Sequence, residues 1–204
     1  MNVDQPKQDS SLADFWNVRY ADNTTPWDAG GVPLALQRYL SSHKNKGSVL
    51  IPGCGSAYEV KYFHQQGWNT LAMDFSDLAV KRAQANLGEL AHLVILGDFF
   101  QQNFSGEAFD LVYERTFLCA LPRKSWPQYA QRMAQILAPG KILAGFFYFN
   151  DEAKGPPFGL HADELESLLA PYFVPLDDQP VPPQESINIM QNRERWQLWQ
   201  RNNI

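Results

Sequence analysis

The sequence predicts an α/β domain: a doubly wound, Rossmann-like, mostly parallel sheet of about seven strands with an antiparallel edge strand and helices on both faces. Three observations point to it. From Ser48 onward, short apolar runs alternate with segments of helical period. The breaks between them are short and carry glycine, proline or aspartate. And 204 residues, 45% hydrophobic and 19% charged, make one ordinary globular domain spanning 1–204.

The first dozen residues are polar and are expected to be mobile. From Asp14 to about Leu40 the texture changes. Trp16 and Trp27 flank a polar stretch, and its part from Ala21 to Thr25 is too loose for a buried helix. A short helix is predicted after Pro33. Residues 1–46 read as an N-terminal lid or cap.

Ser48 to Ile51 is the first strand, ending in the turn Pro52-Gly53-Cys54-Gly55-Ser56. Ala57 to Gln66 is helical, with Val60 and Phe63 on one face and Gly67 as a stop. Thr70 to Met73 is the second strand, closed by Asp74. Ser76 or Asp77 caps the next helix, which runs to about Leu87 and stops at Gly88. Leu93 to Leu96 is the third strand, followed by Gly97-Asp98-Phe99-Phe100. Phe109 to Tyr113 is the fourth. A helix starts at Ser125 with Pro127 in its first turn and ends at Pro139-Gly140. Ile142 to Phe149 is a strongly apolar fifth strand, and His161 to Leu169 reads as a helix. Pro175 to Pro183 holds four prolines and is expected to be irregular. Glu194 to Arg201 alternates as an edge strand would.

Charge and composition narrow the function. A net charge of −5 and a pI of about 5.3 argue against a general nucleic-acid binder, which needs a basic face. No apolar run reaches the roughly 18 residues of a membrane span. The N-terminus lacks the basic start and apolar stretch of a secretory signal. Cys54 and Cys119 have no metal-type spacing, nor do His43, His64, His92 and His161, so no metal is expected. A reduced cytoplasm is the simplest compartment.

In a sheet of this kind ligands bind beyond the carboxyl ends of the strands, where strand order reverses. Four groups of residues fall there. Gly53 and Gly55 make a turn that a ligand can approach closely, but Tyr58 stands where a dinucleotide fingerprint needs its third glycine. Asp74 follows Gly55 by 19 residues, the place for a carboxylate that accepts ribose hydroxyls; the plainer reading is a helix cap. Asp98 could accept from an exocyclic amine and Phe99 could stack on a purine; the plainer reading is a turn aspartate and a core ring. Arg115, in Glu114-Arg115-Thr116, could hold a carboxylate or attract an anionic substrate, or pair with Glu114 at the surface. Cys54 is more simply a small loop residue than a nucleophile. Together these suit S-adenosyl-L-methionine and its product S-adenosyl-L-homocysteine better than a dinucleotide, and no Walker-type lysine is present.

The segment Val49 to Trp68 followed by Met73-Asp74-Phe75-Ser76 resembles the thiopurine S-methyltransferase family. So do Phe109 to Pro122, Pro139-Gly140 and Gly155-Pro156-Pro157-Phe158. Trp16, Pro26-Trp27-Asp28 and Gly31-Val32-Pro33 are similar to its thiol and halide methyltransferase branch. The resemblance implies a class I methyltransferase that moves a methyl group to a small soft nucleophile: a thiol, thiopurine, thiocyanate, halide or chalcogen oxyanion. It implies that Trp16, Trp27, Gly53, Gly55, Asp74, Asp98, Phe99 and Arg115 contact the cofactor, with Arg115 also catalytic. Gly53 follows the thiol/halide branch, whereas Arg115 follows the thiopurine enzymes. The expected partner is a small-molecule acceptor, taken by a monomer. The alternatives are a non-catalytic S-adenosylmethionine-binding protein, a dinucleotide-dependent oxidoreductase, and a base methyltransferase, whose Asn/Asp-Pro-Pro-aromatic signature is replaced by Glu-Arg-Thr-Phe.

Overall fold

The structure, a computed structural model, describes residues 9–43, 46–104, 106, 108–152, 154–161 and 163–203. Most of the polar start, residues 1–8, lies outside them. The strands are β1 (Ser48–Pro52), β2 (Asn69–Asp74), β3 (Val94–Leu96), β4 (Phe109–Arg115), β5 (Leu137–Tyr148), β6 (Phe173–Pro180) and β7 (Glu194–Arg201). They form one sheet in the order β3-β2-β1-β4-β5-β7-β6. β1 runs parallel to both β2 and β4, so winding reverses between β1 and β4.

The side chains of β1, β4 and β5 alternate between two cores, as the two-residue period of a strand requires. Val49, Ile51, Leu111, Tyr113 and Phe146 face α2 (Leu34–Ser42), α3 (Tyr58–Gln65) and α4 (Asp77–Leu87). Leu50, Val112, Leu143 and Phe147 face α5 (Trp126–Ile136) and α6 (Glu164–Leu169). Each such large side chain stabilises the fold by roughly 1.5–3 kcal/mol before entropy is counted.

Three expectations need correction, and one helix was not foreseen. The stretch read as irregular contains β6, which pairs with β7 on one side only. An edge strand needs only half its N–H groups, so Pro175 and Pro180 are tolerated, with a register shift between Pro175 and Asp177. β7 has the expected span and is antiparallel, but lies one place in from the edge. Pro139-Gly140 does not end α5, which stops at Ile136; it sits inside a lengthened β5, with Gly140 at φ +75°. The N-terminal segment holds a helix, α1 (Ala13–Ala21), whose only buried residues are Phe15 and Tyr20. That pattern is too sparse to read as a periodicity.

The end of β4 is shaped by Glu114. Neighbours on a strand point to opposite faces, so Glu114 and Arg115 cannot form the surface pair considered above. Glu114 is 1% exposed, and its Oε1 accepts the N–H groups of Phe117 and Leu118, both at 2.8 Å. These bonds hold Thr116 at φ +57°, a costly conformation for a β-branched residue. Gly145 lies opposite on β5, where a Cβ would come within 2.3 Å of the Glu114 carbonyl oxygen.

Burial pushes the Glu114 carboxyl up to about 7; the two N–H bonds oppose this and Glu194 adds to it. Between the ordinary 4.5 and about 7 the native state therefore holds a proton that the unfolded chain has released. The contribution of Glu114 to stability falls as pH rises through that window. Glu114→Gln keeps an acceptor and removes the charge. Urea denaturation at about pH 5 and about pH 8 should show the variant gaining on the wild type at the higher pH. A pH-independent difference would mean that Glu114 titrates as an ordinary carboxylate.

Candidate functional site

At the reversal point a cavity of about 710 Å³ opens at the carboxyl ends of β1, β2 and β4. Trp16, Trp27, Gly53, Gly55, Asp74, Asp98, Phe99 and Arg115 all line it. The elements explain how residues so far apart in sequence meet there.

Gly53 and Gly55 have φ +59° and +51°, and Ala57, before α3, has φ +60°. The turn between β1 and α3 thus uses the left-handed region three times. The space beside each glycine is taken by the protein itself. A Cβ at Gly53 would meet Phe117 at 2.5 Å, and one at Gly55 would meet the Tyr20 hydroxyl at 2.9 Å. Close approach is required here, and side chains from β4's loop and α1 make it.

Asp74 ends β2 and is buried. One carboxylate oxygen accepts Gly55 N–H at 3.1 Å and the other accepts Ser76 N–H at 3.0 Å. It is not the cap of α4: Ser76 is, its hydroxyl accepting Ala79 N–H at 3.1 Å. Burial pushes the Asp74 carboxyl up to about 6, against the pull of backbone N–H groups. Its four lone-pair positions exceed the backbone N–H bonds it receives from Gly55, Ser76 and Phe75.

Asp98 binds within its own turn, accepting Phe100 N–H at 2.8 Å and the Gln101 amide at 2.9 Å. Each oxygen can accept a further bond. Phe99 is 4% exposed and packs edge-on against Phe100 and Phe117. It is a core ring with part of its surface on the cavity. Cys54 is a buried free thiol, held in its neutral form by burial and by Asp74 and Glu59 nearby. Among the described residues no group of side chains could hold a metal ion.

The N-terminal segment closes one side. Trp27 lies edge-on between Trp16, at 5.3 Å, and Tyr20, at 6.1 Å. Hydrogen bonds to α3 and α4 and their leading turns dock the segment. Ser76 Oγ donates to Asn17 at 2.6 Å, Ser56 Oγ donates to Asp28 at 2.5 Å, and Arg82 donates to the Tyr20 carbonyl at 3.0 Å.

Arg115 also lines the cavity, its guanidinium 4.8 Å from the Phe146 ring centre. Its ionic contact is Glu59 of α3, at 3.8 Å. Glu59, Tyr20 and Asp28 were not foreseen as site residues. Glu59 has a legible position, in the first turn of the helix after the glycine turn, whereas Tyr20 belongs to the helix that could not be read. The lining also has apolar residues, Leu121, Pro122, Pro156, Pro157, Ile189 and Met190, with the buried thiol of Cys119 among them.

Comparison with known proteins gives the chain a family. Residues 11–202 match the thiopurine S-methyltransferase family. A probable thiol methyltransferase 2 of Arabidopsis thaliana is 29% identical over 161 residues, covering 76% of this chain and 71% of that protein. A thiopurine S-methyltransferase of Vibrio cholerae is 30% identical over 175 residues, covering 76% and 79%. The fold matches a Burkholderia thailandensis 1,6-didemethyltoxoflavin-N1-methyltransferase, solved with S-adenosylhomocysteine, at a TM-score of 0.72 and 22% identity, over 98% of this chain and 93% of that one. A dinucleotide oxidoreductase is thereby set aside. With nearly its whole length matched, the chain belongs to the thiopurine S-methyltransferase family of S-adenosylmethionine-dependent methyltransferases.

Proposed function

We propose that this methyltransferase methylates a small soft nucleophile: a thiol, thiopurine, thiocyanate, halide or chalcogen oxyanion. One observation carries the reading. A single cavity joins an open-handed buried carboxylate at Asp74, an aromatic wall at Trp16 and Trp27, and an apolar lining around Leu121, Pro122 and Met190, where the one ionisable neighbour among the described lining residues, Cys119, is a thiol that burial holds neutral.

The residues fit the cofactor. Asp74 has lone pairs left for ribose hydroxyls, Asp98 can take an exocyclic amine, and the cavity lies within the range of small-molecule sites. When bound, S-adenosylmethionine supplies an electrophilic methyl carbon on a sulfonium. The protein's part is alignment, because a soft nucleophile needs little covalent help. Leu121, Pro122, Pro156, Pro157, Ile189 and Met190 give the acceptor a dry wall, where an anionic nucleophile sheds its hydration. Arg115 supplies positive charge on the cavity wall, which favours the ionised form of a thiol. Residues 1–46 act as the lid, and the docked arrangement of α1 and Trp27 is its closed state.

Three results are expected. S-adenosylhomocysteine should raise the melting temperature and NAD should not. In an assay of S-adenosylhomocysteine formation across thiols, thiopurines, thiocyanate, iodide and selenite, at least one acceptor should support turnover. Binding without turnover on any of them would leave a non-catalytic binding protein. Second, Asp74 titrates at about 6 in the free protein, and its carboxylate is the form that accepts from ribose. Affinity for S-adenosylhomocysteine should rise with pH through about 6 and be about tenfold weaker near pH 5. Asp74→Asn should flatten that profile and weaken binding by about 1.5–3 kcal/mol; a profile unchanged in the variant would assign the titration elsewhere. Third, ligand should protect residues 14–33 from hydrogen exchange and proteolysis, and Trp27→Ala should lower both affinity and turnover, with about 0.5–2 kcal/mol of cation–π attraction lost. Equal protection with and without ligand would mean a fixed cap.

A further inference from the structure

The apolar lining at Leu121, Pro122, Pro156, Pro157, Ile189 and Met190 comes from stretches far apart in sequence. None of these residues is in the sheet, so strand pairing does not set the distances between them. The stretches meet at position 119. The Cys119 carbonyl accepts Phe158 N–H at 2.7 Å, which ties the loop after β4 to the one that holds Pro156 and Pro157. The Cys119 side chain packs with Tyr148, Ile187 and Met190, which sets the loop after β4 against the segment before β7. Glu114 holds the first of these loops from behind, through Phe117 and Leu118.

The segment before β7 is held by another buried carboxylate. Glu194 begins β7 and is 3% exposed. Its Oε2 accepts Ser186 Oγ at 2.6 Å and Ile187 N–H at 2.7 Å. Ile187 packs on Cys119, and its carbonyl accepts Met190 N–H at 2.8 Å, so the hold passes on to the cavity wall. Bonds to an ionised acceptor are roughly twice as strong as neutral ones. The placement is nonetheless unfavourable. Glu194 acts as a like charge on Glu114, and both carboxylates act on the Cys119 thiol. Like charges brought together under burial oppose folding, so stability alone would favour a neutral acceptor at position 194. Glu194 itself is not part of the cavity lining, and any effect it has there runs through the residues it holds.

We propose that Glu194 is a positioning residue for the methyl acceptor: it holds Ile187 to Met190 against Cys119 and so fixes the width of the apolar pocket. The proposal rests on the reading that a soft nucleophile lies along this lining. A wall pinned from behind does not retreat from a bulky acceptor, and the pocket then selects by size. Once released, the wall yields, and bulky acceptors gain on small ones.

The test compares kcat/KM across acceptors of rising bulk, from iodide and thiocyanate through ethanethiol to thiophenol and a thiopurine, with calorimetry of S-adenosylhomocysteine alongside. Wild type, Glu194→Ala, Glu194→Gln and Ser186→Ala are measured. Glu194→Ala is expected to raise the ratio of bulky to small acceptors by about tenfold, the scale on which apolar pockets discriminate by size. Affinity for S-adenosylhomocysteine should stay within about twofold of wild type. Glu194→Gln keeps an oxygen for Ile187 N–H, and Ser186→Ala keeps the carboxylate, so each should shift the ratio by only about threefold. If neither Glu194 variant folds, Ser186→Ala decides. An unchanged or reversed ratio in the folded variants, or a shift that comes with an equal loss of S-adenosylhomocysteine affinity, overturns the inference. Folded wild type that binds S-adenosylhomocysteine but turns over none of the acceptors refutes the acceptor reading itself, a separate outcome.

Discussion

The carboxyl edge of this sheet is organised by backbone N–H groups that turn inward onto buried carboxylates. Asp74 gathers Gly55 and Ser76, and Glu114 gathers Phe117 and Leu118. Burial raises both carboxyls, so each is held in place by backbone donors at a cost in desolvation. Without the first, the glycine turn loses the tie at Gly55 and is left with the bond from Cys54 N–H to the Met73 carbonyl, at 3.0 Å. Without the second, nothing holds Thr116 in its left-handed conformation. The cavity is the space these two anchored turns leave between them.

The turns also meet each other. Phe117, placed by Glu114, occupies the volume a side chain at Gly53 would need, and the same ring packs on Phe99. Tyr20 does the same at Gly55, from the N-terminal helix. The glycines thus serve as sockets for aromatic side chains from distant segments. A change in either loop is felt at the other, and at the residue that follows β3.

Much of this was legible in the sequence, and the exceptions have physical reasons. β1, β2 and β4 are buried on both faces and read as apolar runs, so the position of the switch point followed from them. Asp74, Asp98 and Arg115 could be named because the end of a parallel strand fixes where a residue sits before anything is known of its neighbours. Their partners could not be named. Glu59 meets Arg115 across 56 positions of sequence, brought there by how α3 packs on β4. α1 was missed because two buried rings suffice to dock it, and β6 because proline statistics describe strands with neighbours on both sides. The fold rests on many concurring signals, whereas each site contact is a single tertiary coincidence.

The proline-bearing strand has a consequence for the molecule's surface. An open sheet edge is a template on which another chain can lay down a strand. On β6 the free edge lacks the donors of Pro175 and Pro180, kinks at the register shift between Pro175 and Asp177, and carries the carboxylate of Asp177. An incoming strand would meet missing hydrogen bonds, a bent template and negative charge together. That end of the sheet is therefore guarded against cross-chain strand addition and the aggregation that follows from it.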